Sequence, residues 1–160
     1  GCGPGVLLRL AAAAGARVTG VDPSPEMVRM ARRRAPSADV RVGTAEETGL
    51  PDAAVDLVLS VNNVPMWSDL DDGFAELFRV LRPGGRLVVA WHGGTRPSRA
   101  ARRLALPPDV LERIRRAMAD RFGDAEHRRL ERVELFVATR QGADGTSGGR
   151  PRTEGADGSE

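Results

Sequence analysis

The residues best suited to chemistry fall just after short apolar runs. The chain opens Gly1-Cys2-Gly3-Pro4-Gly5. Glycine lets a backbone turn sharply and approach a ligand with no Cβ in the way. The helical run that follows would aim its free N–H groups at that ligand. Asp22 ends the next apolar run. A carboxylate there can accept hydrogen bonds from both vicinal hydroxyls of a ribose, although Asp22-Pro23-Ser24 is also good turn chemistry. Gly43-Thr44-Ala45-Glu46 offers N–H groups and a short hydroxyl that suit the edge of an adenine ring. Asn62 and Asn63 place two amides at the end of a strongly apolar run, either toward a meeting point of substrate and cofactor or as local strand terminators. His92 is the best-placed base, with a surface or structural role as its plainer reading. Trp67 and Trp91 could wall an acceptor pocket or pack in the core. Cys2 reads as a tolerated small residue, not a nucleophile.

These loops need elements to hold them. Residues 6–14 read as a helix stopped by Gly15, and residues 17–21 as a short strand. Ser24 is a good N-cap with Pro25 at the first helical position, and Met27, Met30 and Ala31 are spaced for a buried helix face running to Arg34. Residues 39–42 form the next strand. The run 55–61 has the pattern of a strand covered on both faces. Asp69 or Asp71 caps a helix whose stripe is Leu70, Phe74, Leu77, Phe78 and Leu81. Pro83-Gly84-Gly85 ends it and turns into a strand over 86–91. Residues 110–122 form another amphipathic helix closed by Gly123, and 130–139 a final strand. Alternating helices and strands predict a mostly parallel α/β sheet with helices on both faces. Ligands in such sheets sit beyond the carboxyl ends of the strands.

Composition narrows the classes. A chain of 160 residues suits one core. With one cysteine there is no internal disulfide and no cysteine metal cluster, so no metal is expected and a reducing, cytoplasmic setting fits. No run reaches the roughly 18 apolar residues of a membrane helix. All 24 basic residues are Arg against 22 acids, and the clusters at Arg32–Arg34 and Arg113–Arg116 lack interleaved aromatics. Solvated helix faces are preferred there and no nucleic-acid partner is expected. Residues 141–160 carry six glycines and no large apolar residue, the composition of a disordered tail.

In order and spacing these motifs resemble the class I S-adenosylmethionine (SAM)-dependent methyltransferases of the broad bacterial small-molecule type. The resemblance runs from Gly1 to about Gln141 through the glycine loop, Val21-Asp22-Pro23-Ser24, Ala45-Glu46 with Leu50-Pro51, Val55-Asp56-Leu57-Val58, and Arg79-Val80-Leu81-Arg82-Pro83-Gly84-Gly85. It implies a Rossmann-like methyltransferase domain over 1–140 with an antiparallel last strand. SAM is the implied cofactor, and a small molecule the implied methyl acceptor. Gly1, Cys2, Gly3 and Gly5 would pass the methionyl and ribose parts of SAM, and Asp22 would hold the ribose hydroxyls. Ser24 and Met27 would line the adenosine pocket, Thr44 and Ala45 would meet the adenine edge, and Val61 and Asn62 would lie beside the methionyl group. Many relatives carry Asp where Thr44 stands. Many small-molecule relatives have a His pair where Pro65 and Met66 stand, so no base carries over.

In this family a hydrophobic strand precedes the glycine loop and lies between the strands at 17–21 and 55–61. The chain starts inside that loop, so the first strand is expected to be missing and its neighbours to lose a partner. This 160-residue chain is accordingly expected to be poorly stable or inactive, with the intact parent as the enzyme. An inactive SAM-fold remnant or binding module is the second reading. A NAD-dependent dehydrogenase is the third, but its Gly-x-Gly-x-x-Gly needs glycine where Val6 stands, and the chain has neither Tyr nor Lys.

Overall fold

The computed structural model describes residues 1–142, so the tail expected over 141–160 lies almost wholly outside the described residues. The elements follow as α1 (Val6–Ala13), β1 (Thr19–Asp22), α2 (Pro25–Arg34), β2 (Asp39–Val42), β3 (Val55–Val61), α3 (Leu70–Val80), β4 (Leu81–His92), α4 (Arg99–Leu104), α5 (Pro108–Phe122), β5 (Glu126–Arg129) and β6 (Val133–Thr139). A short 3-10 turn at Val64–Met66 links β3 to α3.

Local chemistry sets several boundaries. The Ser24 hydroxyl accepts from Met27 N, and Pro25 opens α2. The Asp69 carboxylate accepts from Asp71 N and Asp72 N to start α3. Gly123 closes α5 at φ 86°, a left-handed conformation that glycine takes without strain.

The strands fall into two sheets. β1 and β2 pair in parallel; the second sheet has the order β3-β4-β6-β5. In it β3 and β4 are parallel, while β6 runs antiparallel to β4 as expected of the last strand. Among the described residues β1 pairs only with β2 and β3 only with β4, so their facing edges carry no shared ladder. The glycine loop reaches into the interval: Cys2 N donates to Val21 O at 2.8 Å, and Asn63 Nδ2 donates to Gly1 O at 3.0 Å.

Two hydrophobic cores result. Phe74, Leu81, Leu87, Ile114, Met118 and Phe136 anchor the larger, packed between α3, α5 and the four-stranded sheet. Leu8, Val28, Ala31, Ala35 and Val40 form the smaller, between α1, α2 and the β1–β2 pair.

Four expectations are corrected. β3 is not covered on both faces: Leu57 is 50% and Leu59 48% exposed, because nothing among the described residues packs on that side or pairs beyond the strand. The buried face of α2 is Val28 and Ala31, with Met30 37% exposed. α3 ends at Val80, before Pro83-Gly84-Gly85 rather than at it, and Leu81 already pairs with Val55; the Pro-Gly-Gly segment, with Gly84 at φ 79°, then loops out before pairing resumes between Arg86 and Leu57. The last strand starts at Val133, and the charged β5, Glu126–Arg129, pairs with it as a hairpin.

Candidate functional site

The glycine loop is clamped by Asp22. That side chain is 6% exposed at the end of β1. Its Oδ2 accepts from Gly3 N at 2.8 Å and its Oδ1 from Ser24 N at 3.0 Å. An ionised carboxylate has about four acceptor directions, so both oxygens keep capacity for further donors. The loop glycines have different reasons to lack a side chain. A Cβ on Gly5 would lie 2.8 Å from the Ala31 Cα, and one on Gly1 would lie 2.8 Å from Asn63 Nδ2. Gly3, at φ 53°, has open space where a Cβ would stand. The first two permit close packing of α1, α2 and the β3 exit; the third leaves the room a ligand would need. Burial pushes the Cys2 thiol up, and the charge of Asp22 adds to it, so Cys2 stays protonated.

The exit of β3 divides its two asparagines. Asn63 is buried and satisfied: its Oδ1 accepts from Ser60 Oγ at 2.6 Å and Trp67 Nε1 at 3.1 Å, while its Nδ2 holds Gly1. It ties strand end, 3-10 turn and glycine loop into one unit. Asn62 has φ 57°, and its buried Oδ1 lacks a hydrogen-bond partner. A left-handed non-glycine residue with an unpaired buried acceptor stores cost that the surroundings must offset, a combination that clusters at ligand sites. Val61 ends β3 beside it, paired with Ala90 of β4.

The loop after β2 is held from beneath. Gly43 N donates to Asp22 O. Thr44 spends its hydroxyl on its own turn, accepting from Glu47 N at 3.1 Å. Ala45 lies half-buried next to it. Glu46 Oε1 accepts from Ser68 N at 2.7 Å and Asp69 N at 3.2 Å. Burial opposes its charge, but these donors and the Thr44 hydroxyl hold its carboxyl below the usual range. Further along, Glu76 of α3 accepts from Thr48 N at 3.0 Å and Thr48 Oγ1 at 2.6 Å. The Arg79 guanidinium beside it, together with these donors and against its burial, pulls Glu76 down to about 2. Arg79 extends the network to Leu50 O at 2.7 Å and to Asp52. Sequence reasoning missed Asn63 as a tie and missed the Glu76–Thr48 latch; Asn63 was visible only as a strand terminator, and a contact between Thr48 and Glu76 leaves no local pattern.

The remaining candidates separate. Met27 is half-buried, its N–H on Ser24. Trp67 packs edge-to-face on Phe74 at 5.3 Å and covers Gly73, which assigns it to the core. Trp91 donates to Leu104 O at 2.7 Å, fixing α4 to the tip of β4, and His92 stands edge-to-face against it at 5.6 Å. The loop after His92 is held by buried Glu134, which accepts from Gly94 N, His127 and Arg129. Hollows of about 420 Å³ and 350 Å³ lie along α3, on its sides toward α5 and the Glu46 loop, and neither is bounded by the glycine loop. Among the described residues no helix is long and apolar enough to cross a membrane.

Comparison with known proteins places the fold in a family. A family profile described as a methyltransferase domain matches residues 1–89. A malonyl-[acyl-carrier protein] O-methyltransferase of Serratia marcescens is 44% identical over 90 residues, 56% of this chain and 35% of that protein. A ubiquinone/menaquinone biosynthesis C-methyltransferase of Rubrivivax gelatinosus is 40% identical over 87 residues, 54% of this chain and 35% of that protein. The chain thus spans about a third of the length of these curated relatives. Among solved structures, geranyl diphosphate C-methyltransferase from Streptomyces coelicolor, in complex with S-adenosyl-L-homocysteine, superposes with TM-score 0.66 at 22% identity, covering 88% of this chain and 68% of that one. Phosphoethanolamine N-methyltransferase 2 of Haemonchus contortus, in complex with SAM, gives 0.72 at 20% identity, covering 89% and 47%. With its α/β fold, its glycine loop and the carboxylate one strand later, the chain belongs to the methyltransferase-domain family.

Proposed function

We propose that residues 1–140 form a SAM-dependent methyltransferase domain whose parent protein transfers a methyl group to a small-molecule acceptor. The observation that carries this is the Asp22–Gly3 clamp, a buried carboxylate gripping a glycine turn that is open above Gly3. It supports Asp22 as the ribose ligand, with Gly1, Cys2, Gly3 and Gly5 as the surface along the methionyl and ribose portion. Ser24 and Met27 line the adenosine side, and Thr44 and Ala45 present the adenine edge. Val61 and Asn62 flank the methionyl group, where the unpaired Asn62 Oδ1 would accept from an ammonium. When bound, SAM supplies an electrophilic methyl on a sulfonium.

The protein's own part is chiefly positional. Holding a nucleophile in line with the methyl turns a bimolecular encounter into an intramolecular one. Asn63, Glu46 and Glu76 fix the loops that define that line. His92, the last residue of β4, is our candidate to take a proton where the acceptor must lose one early. The proteins named above include a malonyl-[acyl-carrier protein] O-methyltransferase and a geranyl diphosphate C-methyltransferase, which supports an acceptor with a small reacting group.

Calorimetric titration of the full-length protein with SAM tests the reading, with Asp22→Ala as its control. Saturable binding, weakened about tenfold or more by the substitution, is expected from the loss of charge-assisted hydrogen bonds. Unchanged affinity in the variant would overturn the ribose assignment. Binding of NAD in place of SAM would overturn the reaction, and binding of neither would favour an inactive remnant.

A further inference from the structure

Arginine in this chain is nearly balanced by acids overall, 24 against 22, but unevenly along its length. Residues 93–108 contain Arg96, Arg99, Arg102 and Arg103 and no Asp or Glu. All four side chains are exposed, and none takes part in an ion pair among the described residues. Arg99, Arg102 and Arg103 stand at i, i+3 and i+4 of α4, one face of a single helical turn and a half. The buried Ala101 sets the opposite face against the protein.

Like charges so close raise each other's energy, and a solvated face would ordinarily dilute them with acids. Here the structure holds the helix in place. Trp91 pins its last turn through Leu104 O, and Ser98 caps its first through Ala101 N. The segment before it is tied to the β5–β6 hairpin by Thr95 N to Leu130 O and Arg96 N to Glu131 O. The fixed cationic face therefore lies just past the carboxyl end of β4. Asn62 N bonds Ala90 O there, so this is the sheet end that carries the unpaired Asn62. Sheets of this kind take their ligands at that end.

Resting on the methyltransferase reading, we infer that the methyl acceptor is anionic and carries a phosphate or diphosphate that seats on Arg99, Arg102 and Arg103. Guanidinium forks match phosphate oxygens in bidentate pairs, which a scattered surface charge does not achieve. The acceptor would then span from the α4 face, where its charge is held, to the tips of β3 and β4, where its nucleophilic atom meets the methyl.

Inorganic pyrophosphate is the probe. Its binding to the full-length protein is titrated calorimetrically at two salt concentrations, alongside SAM, for the wild type, for R99Q/R102Q/R103Q and for the equal charge loss R9Q/R33Q/R113Q elsewhere. Thermal melting verifies that each variant is folded. The expected result is saturable pyrophosphate binding, weakened at least about tenfold by the α4 changes, little altered by the remote ones, with SAM affinity the same throughout. A wild type that binds SAM but not pyrophosphate overturns this inference alone. Equal losses in the two triple variants overturn it as general electrostatics, and an oligonucleotide that outcompetes pyrophosphate at equal phosphate concentration overturns it in favour of a nucleic-acid surface. A wild type that fails to bind SAM brings down the underlying reading and this one with it.

Discussion

The two halves of the molecule are built to different standards. The half through β2 carries the glycine loop, Asp22, Ser24, Met27, Thr44 and Ala45, yet its core is five small or medium residues, Leu8, Val28, Ala31, Ala35 and Val40. The half from β3 onward holds fourteen buried core residues, among them Phe74, Phe122 and Phe136. Hydrophobic stabilisation follows the apolar area buried, so the second half supplies most of it. The residues proposed to face the cofactor ride on a thin layer joined to a thick one by a few polar ties: Asn63 to Gly1, Glu76 to Thr48, Glu46 to Ser68 and Asp69. The difference teaches that the geometry of the proposed site is set by hydrogen bonds across the junction rather than by packing beneath it.

Four substitutions bear on that contrast. Phe136→Ala, in the thick half, should cost about 3–5 kcal/mol and melt the whole chain cooperatively. Leu8→Ala, in the thin half, should lower amide protection in β1 and β2 while β4 and β6 keep theirs. Hydrogen exchange reads both, and uniform loss of protection in the Leu8 variant would erase the distinction between the halves.

Glu76→Gln tests the junction. At pH 7 it should cost about 1–3 kcal/mol, the scale of a charge-assisted bond to a part-buried carboxylate. Because Glu76 is depressed in the fold to about 2 from 4.5, its stabilisation is full above the unfolded value and fades as pH falls through the folded one. The wild type and variant should therefore converge in denaturant midpoint between pH 4.5 and about 2. A gap that persists in acid would show that the charge is not what latches the loop. SAM affinity should fall with it while turnover at saturating SAM changes less.

The smallest effect is expected at Asn62. Replacement by glycine relieves the φ of 57°, and stability should rise by about 0.5–1 kcal/mol in chemical denaturation. SAM binding should weaken at the same time. A stabilised variant that binds SAM as tightly as the wild type would reduce Asn62 to a turn residue.

Much of the scaffold was legible because its signals are local. β2 and β3 have the expected ends, the Ser24 and Asp69 caps work as caps, and Leu70, Phe74, Leu77 and Phe78 of α3 pack into or against the core, while Leu81 of the expected stripe belongs to β4. β5 was not legible, because Glu-His-Arg-Arg has no apolar alternation and becomes a strand only by pairing with β6. α4 was missed for a similar reason, a short Arg-rich turn whose position depends on Trp91. The exposure of Leu57 and Leu59 defeated the buried-strand reading because an apolar run reports what a strand could bury, not what covers it. Within the candidate site, spacing pointed to Asp22, which the fold buries against the glycine loop, whereas the contrast between a satisfied Asn63 and a frustrated Asn62 needed coordinates.

The facing edges of β1 and β3 have a practical meaning for anyone handling this polypeptide. A row of backbone donors and acceptors beside Leu57 and Leu59 is a template onto which any extended peptide can zip. In concentrated solution the nearest such peptide is another molecule of the same chain, so loss of material to clumping should grow with concentration and be relieved by an added peptide that pairs with that edge first.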